Sequence, residues 1–127
     1  MIRGIGIDLV ELERLRGVLE RHGSRFLDRV LTADEREYCG RHRDPVPQVA
    51  ARFAAKEAAL KAIGTGIAAG VGWKDVEVTR SGDGAPSLRL SGAAAKIAEE
   101  MQVGAVHVSL THDRHSAAAV VVLEGRP

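Results

Sequence analysis

The alternation of apolar and small or polar residues predicts a β-strand at the start of the chain. Ile5 and Ile7 share one face of this strand, whereas Gly4, Gly6 and Asp8 share the other. Because glycine has no side chain, the second face leaves room for the close approach of another segment or of a ligand. We therefore expect Asp8 to face a gap that is lined by backbone.

A helical pattern follows the strand directly. Leu12, Leu15, Val18 and Leu19 recur at the spacing of one helix face, and Gly23 is expected to end or bend the helix. A short amphipathic piece over residues 26–31 then leads to a second helix.

The second helix carries its own start signal. Thr32 and Glu35 have the spacing of a capping box, in which side chain and backbone at the helix start bond reciprocally. This helix is predicted to extend to about Tyr38. Pro45 and Pro47 are expected to separate it from the next element, because proline lacks the backbone N–H that a helix interior needs.

An alanine-rich segment from about Val49 to Ile63 predicts a long central helix. Gly64 follows at the position where a glycine cap commonly ends a helix. From Gly64 to Trp73 the chain is rich in glycine, and we expect a mobile loop.

The remaining elements complete a mixed fold. In order, they are a strand over 76–79, a turn over 81–86, a strand over 88–90, a helix capped by Ser91 and closed by Val103 and Gly104, and two strands over 105–111 and 117–123 joined by a hairpin. No linker or repeat divides the chain. We therefore predict one α+β domain over residues 1–127, with a mainly antiparallel sheet packed on the long central helix.

Composition excludes several classes of protein. The net charge of +1 and the aromatic content of 3% do not fit a dedicated nucleic-acid binder, and no apolar run approaches the roughly 20 residues of a membrane span. Cys39 is the only cysteine, so no intramolecular disulfide can form. The N-terminus shows no secretory signal pattern, and we therefore expect a cytoplasmic protein. A chain of this length leaves much apolar surface uncovered, which favours oligomerisation.

Asp8, Glu57 and Lys61 are the strongest candidates for chemistry, because each lies in an otherwise apolar stretch. Glu57 and Lys61 are four residues apart and share a helix face that borders an apolar stripe. The plain alternatives are a surface ion pair for Glu57 and Lys61 and a helix cap for Asp8. If the two segments meet, they form an acidic site with a lysine, suited to a divalent cation and a phosphate.

Weaker candidates lie in the C-terminal half. His107 and Ser109 share a strand face, but a Ser/His hydrolase site lacks its G-x-S-x-G turn, and a polar pocket lining or plain exposure is favoured. Zinc binding by His107, His112 and His115 has no supporting ligand pattern. The segment from Gly64 to Gly66 is not a P-loop, although its backbone could still cradle a phosphate.

The first helix is rich in arginine. Arg14, Arg21 and Arg25 would line up on one stripe if residues 11–25 formed a single straight helix. This stripe is either a solvated basic face or a docking surface for an acidic protein, and its common register requires the helix to run straight through Gly23.

Four segments together carry a family resemblance: G-I-D-L-V-E at 6–11, R-F-A-A-K-E-A at 52–58 continuing to Lys61, G-T-G at 64–66 and H-V-S at 107–109. Their sequences and order resemble the short, holo-[acyl-carrier-protein] synthase branch of the 4'-phosphopantetheinyl transferase superfamily. The resemblance covers nearly the full chain. It implies transfer of phosphopantetheine from coenzyme A to a serine of apo acyl carrier protein, with release of adenosine 3',5'-bisphosphate, in fatty acid or polyketide biosynthesis.

The resemblance also implies roles for particular residues. Asp8 and Glu57 match carboxylates that hold Mg²⁺, and Lys61 matches a catalytic lysine beside the pyrophosphate of coenzyme A. The acceptor of the serine proton is left open between a metal-associated water, Asp8 and Glu57. By the same resemblance, Gly64, Pro86 and His107 would lie near coenzyme A.

Partners follow from the resemblance as well. Arg14, Arg21 and Arg25 would receive the acidic carrier protein, and proteins of this length typically form homotrimers with sites shared between subunits. Two departures from the family pattern, Ala85 and Thr111, affect the adenosine side more than the metal site. The rival interpretations are a noncatalytic module that binds carrier protein or coenzyme A, and a magnesium-dependent nucleotide hydrolase.

Overall fold

The computed structural model describes residues 1–67 and 70–127, which contain four α-helices and five strands. In chain order these are β1 (Ile2–Glu11), α1 (Leu12–Val30), α2 (Ala33–Gly40), α3 (Val46–Ile63), β2 (Val76–Arg80), β3 (Pro86–Leu90), α4 (Gly92–Glu100), β4 (Val103–His112) and β5 (Ser116–Gly125). The predicted α+β class is confirmed. The loop predicted to be mobile between Gly64 and Trp73 includes two residues, 68 and 69, that lie outside the described residues.

Two antiparallel sheets form the β part of the fold. The larger sheet has the order β1-β5-β4, and β2 pairs with β3 in a separate two-stranded ribbon. α3 packs across the larger sheet, mainly on β1 and β5. The prediction of an antiparallel sheet on a long central helix is confirmed, and so is the C-terminal hairpin.

The glycine face of β1 meets α3, so the expected close approach of another segment is confirmed and the alternative of a ligand at this face is wrong. A Cβ atom added at Gly6 would lie 1.9 Å from the carbonyl oxygen of Ala58, and one added at Gly4 would lie 2.2 Å from that of Ala62. The space left by the absent side chains is therefore filled by the helix backbone. This contact brings the helix that carries Glu57 and Lys61 against the strand that carries Asp8.

The opposite face of β1 is apolar and open in the single chain. Ile5, Ile7 and Leu9 are 65%, 67% and 66% exposed. They lie opposite Val122, Val120 and Ala118 of β5, which places these six side chains on one sheet face. Burial of this face would need another molecule.

The bend expected at Gly23 is confirmed, whereas the start of α3 differs from the prediction. α1 continues through Gly23 to Val30 with a kink, because Gly23 adopts φ 48° and ψ −123°, a conformation that favours glycine. α3 begins at Val46, so Pro47 does not separate the helices. It lies in the first turn of α3, where its missing N–H costs nothing.

Within residues 1–67 and 70–127, no helix combines the length and the apolar character that crossing a bilayer requires.

The segment after α4 also needs correction. Val103 and Gly104 were expected to close this helix, but they belong to β4, and the chain turns at Gln102 with φ 62°. Ser91 occupies the position before the helix without a side-chain cap bond; Asp75 instead accepts a hydrogen bond from the backbone N–H of Ala94 at 3.4 Å.

A buried ion pair that the sequence analysis did not single out joins α2 to α3. Lys56 Nζ lies 2.8 Å from Glu35 Oε1, and both side chains are completely buried. Burial lowers the pKa of Lys56, while the carboxylate of Glu35 opposes that shift. Glu35 also completes the capping box predicted with Thr32 and accepts a hydrogen bond from the Val78 N–H at 2.8 Å.

Candidate functional site

A cavity of about 450 Å³ opens where β1, α1 and α3 meet, and it contains the strongest candidates from the sequence. β1 supplies Asp8, α1 supplies Arg14, and α3 supplies Glu57 and Lys61. The charged side chains share the cavity with an apolar wall made by Leu15, Val18, Phe26 and Phe53. Residues that are about fifty positions apart in the chain therefore form one site.

Lys61 bridges strand and helix at the mouth of the cavity. Its Nζ donates to Asp8 Oδ1 at 3.0 Å and to the Ile7 carbonyl oxygen at 3.0 Å. The Asp8 side chain is 16% exposed, whereas the Lys61 side chain is 52% exposed. An ammonium has three donors, so one of them is left for a ligand that enters from solvent.

Both plain alternatives for these residues are wrong. Lys61 pairs with Asp8 and not with Glu57, so the expected surface pair along the helix is replaced by a contact between two elements. Asp8 lies within β1, opposite Ala119, and the residue that precedes α1 is Glu11. Asp8 therefore does not cap α1.

Glu57 is partly buried, and its surroundings disfavour its charge. Burial raises the pKa of Glu57, the negative charge of Asp8 raises it further, and the positive charge of Lys61 acts in the opposite direction. The two carboxylates thus lie close enough to repel each other. A cation placed between them would relieve that repulsion.

The electrostatic contact between Asp8 and Glu57 can be tested without any ligand. We expect the Asp8→Asn variant to lower the Glu57 pKa towards its usual value, because the substitution removes the repulsion and keeps an oxygen that can accept from Lys61. The measurement is carboxyl-carbon NMR of Glu57 during a pH titration. An unchanged Glu57 pKa in the variant would contradict the contact.

The same shift has a defined consequence for stability. The pKa of Glu57 in the folded protein lies above that of the unfolded chain, so the folded state holds this proton more tightly. Its contribution to stability is complete below the unfolded pKa and is lost as the pH rises through the folded one. In the Glu57→Gln variant, this part of the pH dependence of the free energy of unfolding should disappear.

The donor set fits a hard divalent cation that is bound only in part by the protein. Asp8 and Glu57 offer carboxylate oxygens, the ligands that Mg²⁺ prefers. Among the described residues, no group of three or more His, Cys, Asp or Glu side chains gathers at one place. The other coordination positions would therefore belong to phosphate oxygens and water, an arrangement that is common for Mg²⁺.

The remaining candidates do not join this cavity. Gly64 caps α3, Pro86 begins β3 and His107 lies on β4, and none of the three is part of the cavity lining. The zinc alternative, with His107, His112 and His115, finds no cluster in the described part of the chain. His107 Nε2 lies 3.0 Å from Glu124 Oε1, and among the described residues no hydrogen bond joins His107 to Ser109, as the Ser/His alternative would require.

The arginines of α1 divide into two parts. Arg14 and Arg21 lie before the kink at Gly23 and Arg25 lies after it, so the three cannot continue as one straight stripe. All three are exposed, and none forms an ion pair with a described residue. Arg16 is different, because Asp44 pairs with its guanidinium at 3.0 Å.

The sequence analysis missed the aromatic side chains of the apolar wall. Phe53 packs against Phe26 with ring centroids 5.6 Å apart and against Trp73 at 5.0 Å. The spacing of Glu57 and Lys61 indicates only that an apolar stripe lies beside them, and it does not single out Phe53. The available signal was its position four residues before Glu57 on the same helix face, but Phe26 and Trp73 are too distant in the chain for any spacing rule.

Comparison with known proteins shows which proteins the whole chain resembles. The family model described as the 4'-phosphopantetheinyl transferase superfamily matches residues 4–121. A holo-[acyl-carrier-protein] synthase from Maridesulfovibrio salexigens is 50% identical over 124 residues, which cover 98% of this chain and 99% of the relative. One from Methylobacterium radiotolerans is 49% identical over 131 residues, which cover 100% of this chain and 96% of that relative.

Solved structures with a similar fold carry the same protein name as these relatives. The crystal structure of holo-[acyl-carrier-protein] synthase from Neisseria meningitidis superposes with a TM-score of 0.90 at 35% identity and covers 98% of this chain and 99% of that chain. The Helicobacter pylori enzyme, whose structure is in complex with coenzyme A, gives a TM-score of 0.83 at 32% identity, with 94% and 99% of the two chains covered.

Proposed function

The chain belongs to the 4'-phosphopantetheinyl transferase superfamily, and we propose that Asp8 and Glu57 hold Mg²⁺ for the transfer reaction. Transfer of phosphopantetheine from coenzyme A to acyl carrier protein follows from similarity to holo-[acyl-carrier-protein] synthases over the full chain. The observation that carries the metal assignment is the convergence of two mutually repelling carboxylates and Lys61 in one cavity. The chain is therefore a transferase, and the proposal concerns how it works.

The reaction breaks one phosphorus–oxygen bond and forms another. A serine hydroxyl oxygen of the carrier attacks the phosphorus that bears pantetheine, the serine proton passes to a base for which Asp8 and Glu57 are the candidates in the cavity, and adenosine 3',5'-bisphosphate departs. Such transfers depend mainly on positioning and charge neutralisation. A bound Mg²⁺ supplies charge neutralisation at the pyrophosphate.

The residues of the chain prepare this chemistry before the substrates arrive. Asp8 and Glu57 hold their negative charges on the wall of a partly enclosed cavity, where electrostatic interactions are stronger than in water. Lys61 is held by Asp8 and by the Ile7 carbonyl, and its third N–H can donate to an oxygen of the leaving phosphate. This bond strengthens as negative charge develops on that oxygen.

One assay separates the proposed function from its rivals. Apo acyl carrier protein, coenzyme A, Mg²⁺ and this protein are incubated, and the carrier is analysed by mass spectrometry. We expect the carrier to gain one phosphopantetheine group, with adenosine 3',5'-bisphosphate released in equal amount and no product in the presence of a chelator. An unmodified carrier would favour a binding module, and cleaved coenzyme A without carrier would favour a hydrolase.

We propose that the exposed arginines of α1 dock the acidic carrier protein. Arg14 lines the cavity, and Arg21 lies two helical turns further along α1, while Arg25 extends the basic surface beyond the kink. A carrier held along this helix would lie beside the cavity that Arg14 lines. Unpaired surface charges of this kind mainly accelerate association and make it dependent on salt.

Reversal of one docking charge should weaken carrier recognition selectively. We expect Arg21→Glu to raise the KM for carrier protein by about tenfold at low salt, since one attraction becomes a repulsion, and to leave the KM for coenzyme A unchanged. The matched control is Lys96→Glu on α4, an exposed charge reversal away from the site. Equal KM values for carrier in wild type and Arg21→Glu would contradict this docking surface.

We propose that the apolar face of β1 and β5 is covered by further copies of the chain in a homotrimer. The face contains three apolar side chains that are about two-thirds exposed, and exposed apolar patches of this kind commonly mark interfaces. His107 lies opposite Val122 on the same sheet. A neighbouring subunit that covers this face would therefore approach His107, which supports a coenzyme A site completed between subunits with Gly64 and Pro86.

Assembly can be tested at the centre of this face. We expect the wild-type protein to sediment with about three times the mass of one chain and Ile7→Glu to sediment as a smaller species, because burial of an unpaired carboxylate is unfavourable. Ile7→Leu keeps the apolar surface and should remain assembled. A wild-type monomer, or an Ile7→Glu trimer, would contradict the proposal.

We place the enzyme in the cytoplasm, where it would supply holo carrier protein for fatty acid or polyketide biosynthesis. The support is the lone, buried Cys39, which fits a reducing compartment, and the requirement of those pathways for carrier proteins with phosphopantetheine. Assays against a panel of fatty acid and polyketide carriers decide between the two pathways, and cell fractionation tests the location.

A further inference from the structure

Lys56 lies next to Glu57 in the chain but on a different face of α3, where all three of its donors are used. Its Nζ contacts Glu35 Oε1 at 2.8 Å and donates to the Trp73 carbonyl at 3.1 Å and to the Val76 carbonyl. The side chain is completely buried. One ammonium therefore ties α3 to α2 and to the segment that enters β2.

Stability alone does not account for a charge at this position. Replacement of a buried ion pair by apolar side chains of similar volume is often neutral or stabilising, because desolvation of the charges offsets their attraction. An apolar side chain at position 56 could fill the same volume. It could not hold the carbonyl groups of Trp73 and Val76, which lie in the short turn Trp73–Asp75 and at the start of β2.

The segment held by Lys56 supports the wall of the cavity. The ring of Trp73 packs against Phe53 with centroids 5.0 Å apart, and Phe53 lines the cavity together with Glu57. On the opposite side, α3 rests on β1 through the contact between Gly6 and the Ala58 carbonyl. α3 is thus fixed from two sides, and Glu57 lies between the two supports.

We propose that Lys56 is a positioning residue for the metal site: through Trp73 and Phe53, it fixes the rotation of α3 that keeps Glu57 beside Asp8. This role rests on the proposed Mg²⁺-dependent function of Asp8 and Glu57. Lys56 touches neither substrate nor metal. Its contribution is to the geometry of a cavity whose two carboxylates must reach one ion.

The test separates positioning from plain stability by use of a double variant. Lys56→Met removes the buried cation, and Glu35→Gln removes the charge that would otherwise be left unpaired. Lys56→Met/Glu35→Gln is then neutral at both positions, and thermal unfolding shows whether it is folded. Lys96→Met, at an exposed lysine of α4, is the matched control.

Two measurements besides turnover report on the site. Mn²⁺ binding in the presence of coenzyme A is followed by electron paramagnetic resonance, and tryptophan emission reports on one position only, because Trp73 is the sole tryptophan. We expect the folded double variant to bind Mn²⁺ about tenfold more weakly, as when other outer-shell partners of a metal site are lost. Its Trp73 emission should shift to the red, kcat should fall, and the KM for coenzyme A should change little.

Wild-type Mn²⁺ affinity and kcat in the folded double variant would overturn the positioning role and leave the ion pair purely structural. If the double variant does not fold, Trp73→Leu decides, because it keeps the carbonyl that accepts from Lys56 but removes the ring that supports Phe53. Weaker Mn²⁺ binding in Trp73→Leu supports the proposal, and unchanged binding overturns it. A separate measurement tests the metal site itself. If Glu57→Gln binds Mn²⁺ as tightly as the wild type, Glu57 is not a metal ligand, whatever the role of Lys56.

Discussion

Glu57→Gln should lower the Mg²⁺-dependent transfer rate by about 10²- to 10³-fold, the loss expected when one preorganised electrostatic contact of a transition state is removed. The substitution keeps the size of the side chain and removes one of the two negative charges that would hold the cation. It also removes a carboxylate that burial and Asp8 already disfavour. The metal-free variant should therefore be at least as stable as the wild type.

This combination of effects is what distinguishes a site residue from a structural one. Activity is measured by mass spectrometry of the carrier protein, and stability by thermal unfolding without metal. Glu100→Gln, at an exposed glutamate in the last turn of α4, is the matched control and should change neither quantity. Full Mg²⁺-dependent activity in Glu57→Gln would count directly against the metal site.

Gly6→Ala should have the largest effect on stability, a loss of about 3 kcal/mol or more, because overpacking of a close backbone contact has no flexible side chain to absorb it. The added Cβ would lie 1.9 Å from the Ala58 carbonyl oxygen, so strand and helix must move apart. The same movement would separate Asp8 from Glu57. Activity should therefore fall even at temperatures where the variant is folded.

A second glycine provides the control. At Gly17, an added Cβ would meet only the end of the Arg21 side chain, at 3.2 Å, and Gly17 lies within α1. Gly17→Ala should leave stability unchanged or raise it by about 0.5–1 kcal/mol, since alanine favours the helix. Urea denaturation of both variants gives the comparison. Equal stability of Gly6→Ala and wild type would show that α3 does not depend on this contact.

The convergence of Asp8, Glu57 and Lys61 could be anticipated from the sequence, because charges in apolar stretches demand a partner. The four-residue spacing of Glu57 and Lys61 set their common helix face correctly. It could not show that Lys61 pairs with Asp8, since that contact depends on how closely α3 approaches β1. The roles of the three residues in catalysis stay predictions.

The glycines of β1 show where a strand pattern is ambiguous. Alternation correctly placed Gly4 and Gly6 on the face of Asp8, but a face without side chains admits a ligand and a helix equally well. The structure fills it with the backbone of α3. Strand periodicity also does not indicate which face of β1 is covered by the rest of the chain. In the structure, the face with Ile5 and Ile7 is the exposed one.

Other features lay beyond local patterns altogether. Glu35 and Lys56 are 21 positions apart, and neither spacing nor composition distinguishes them from surface charges. Their burial depends on α2, α3 and β2 meeting at one point.

The prediction for Pro47 is wrong for a related reason. Proline disrupts a helix interior but is tolerated in the first turn, and only the position of the helix start decides between the two.

The most direct test of the shared metal site is a crystal structure with coenzyme A and Mn²⁺, in which anomalous scattering locates the ion. We predict one anomalous peak within bonding distance of an oxygen of Asp8 and an oxygen of Glu57, with its other ligands from the pyrophosphate and water. A peak that contacts only one of the two carboxylates, or that lies away from both, would contradict the account.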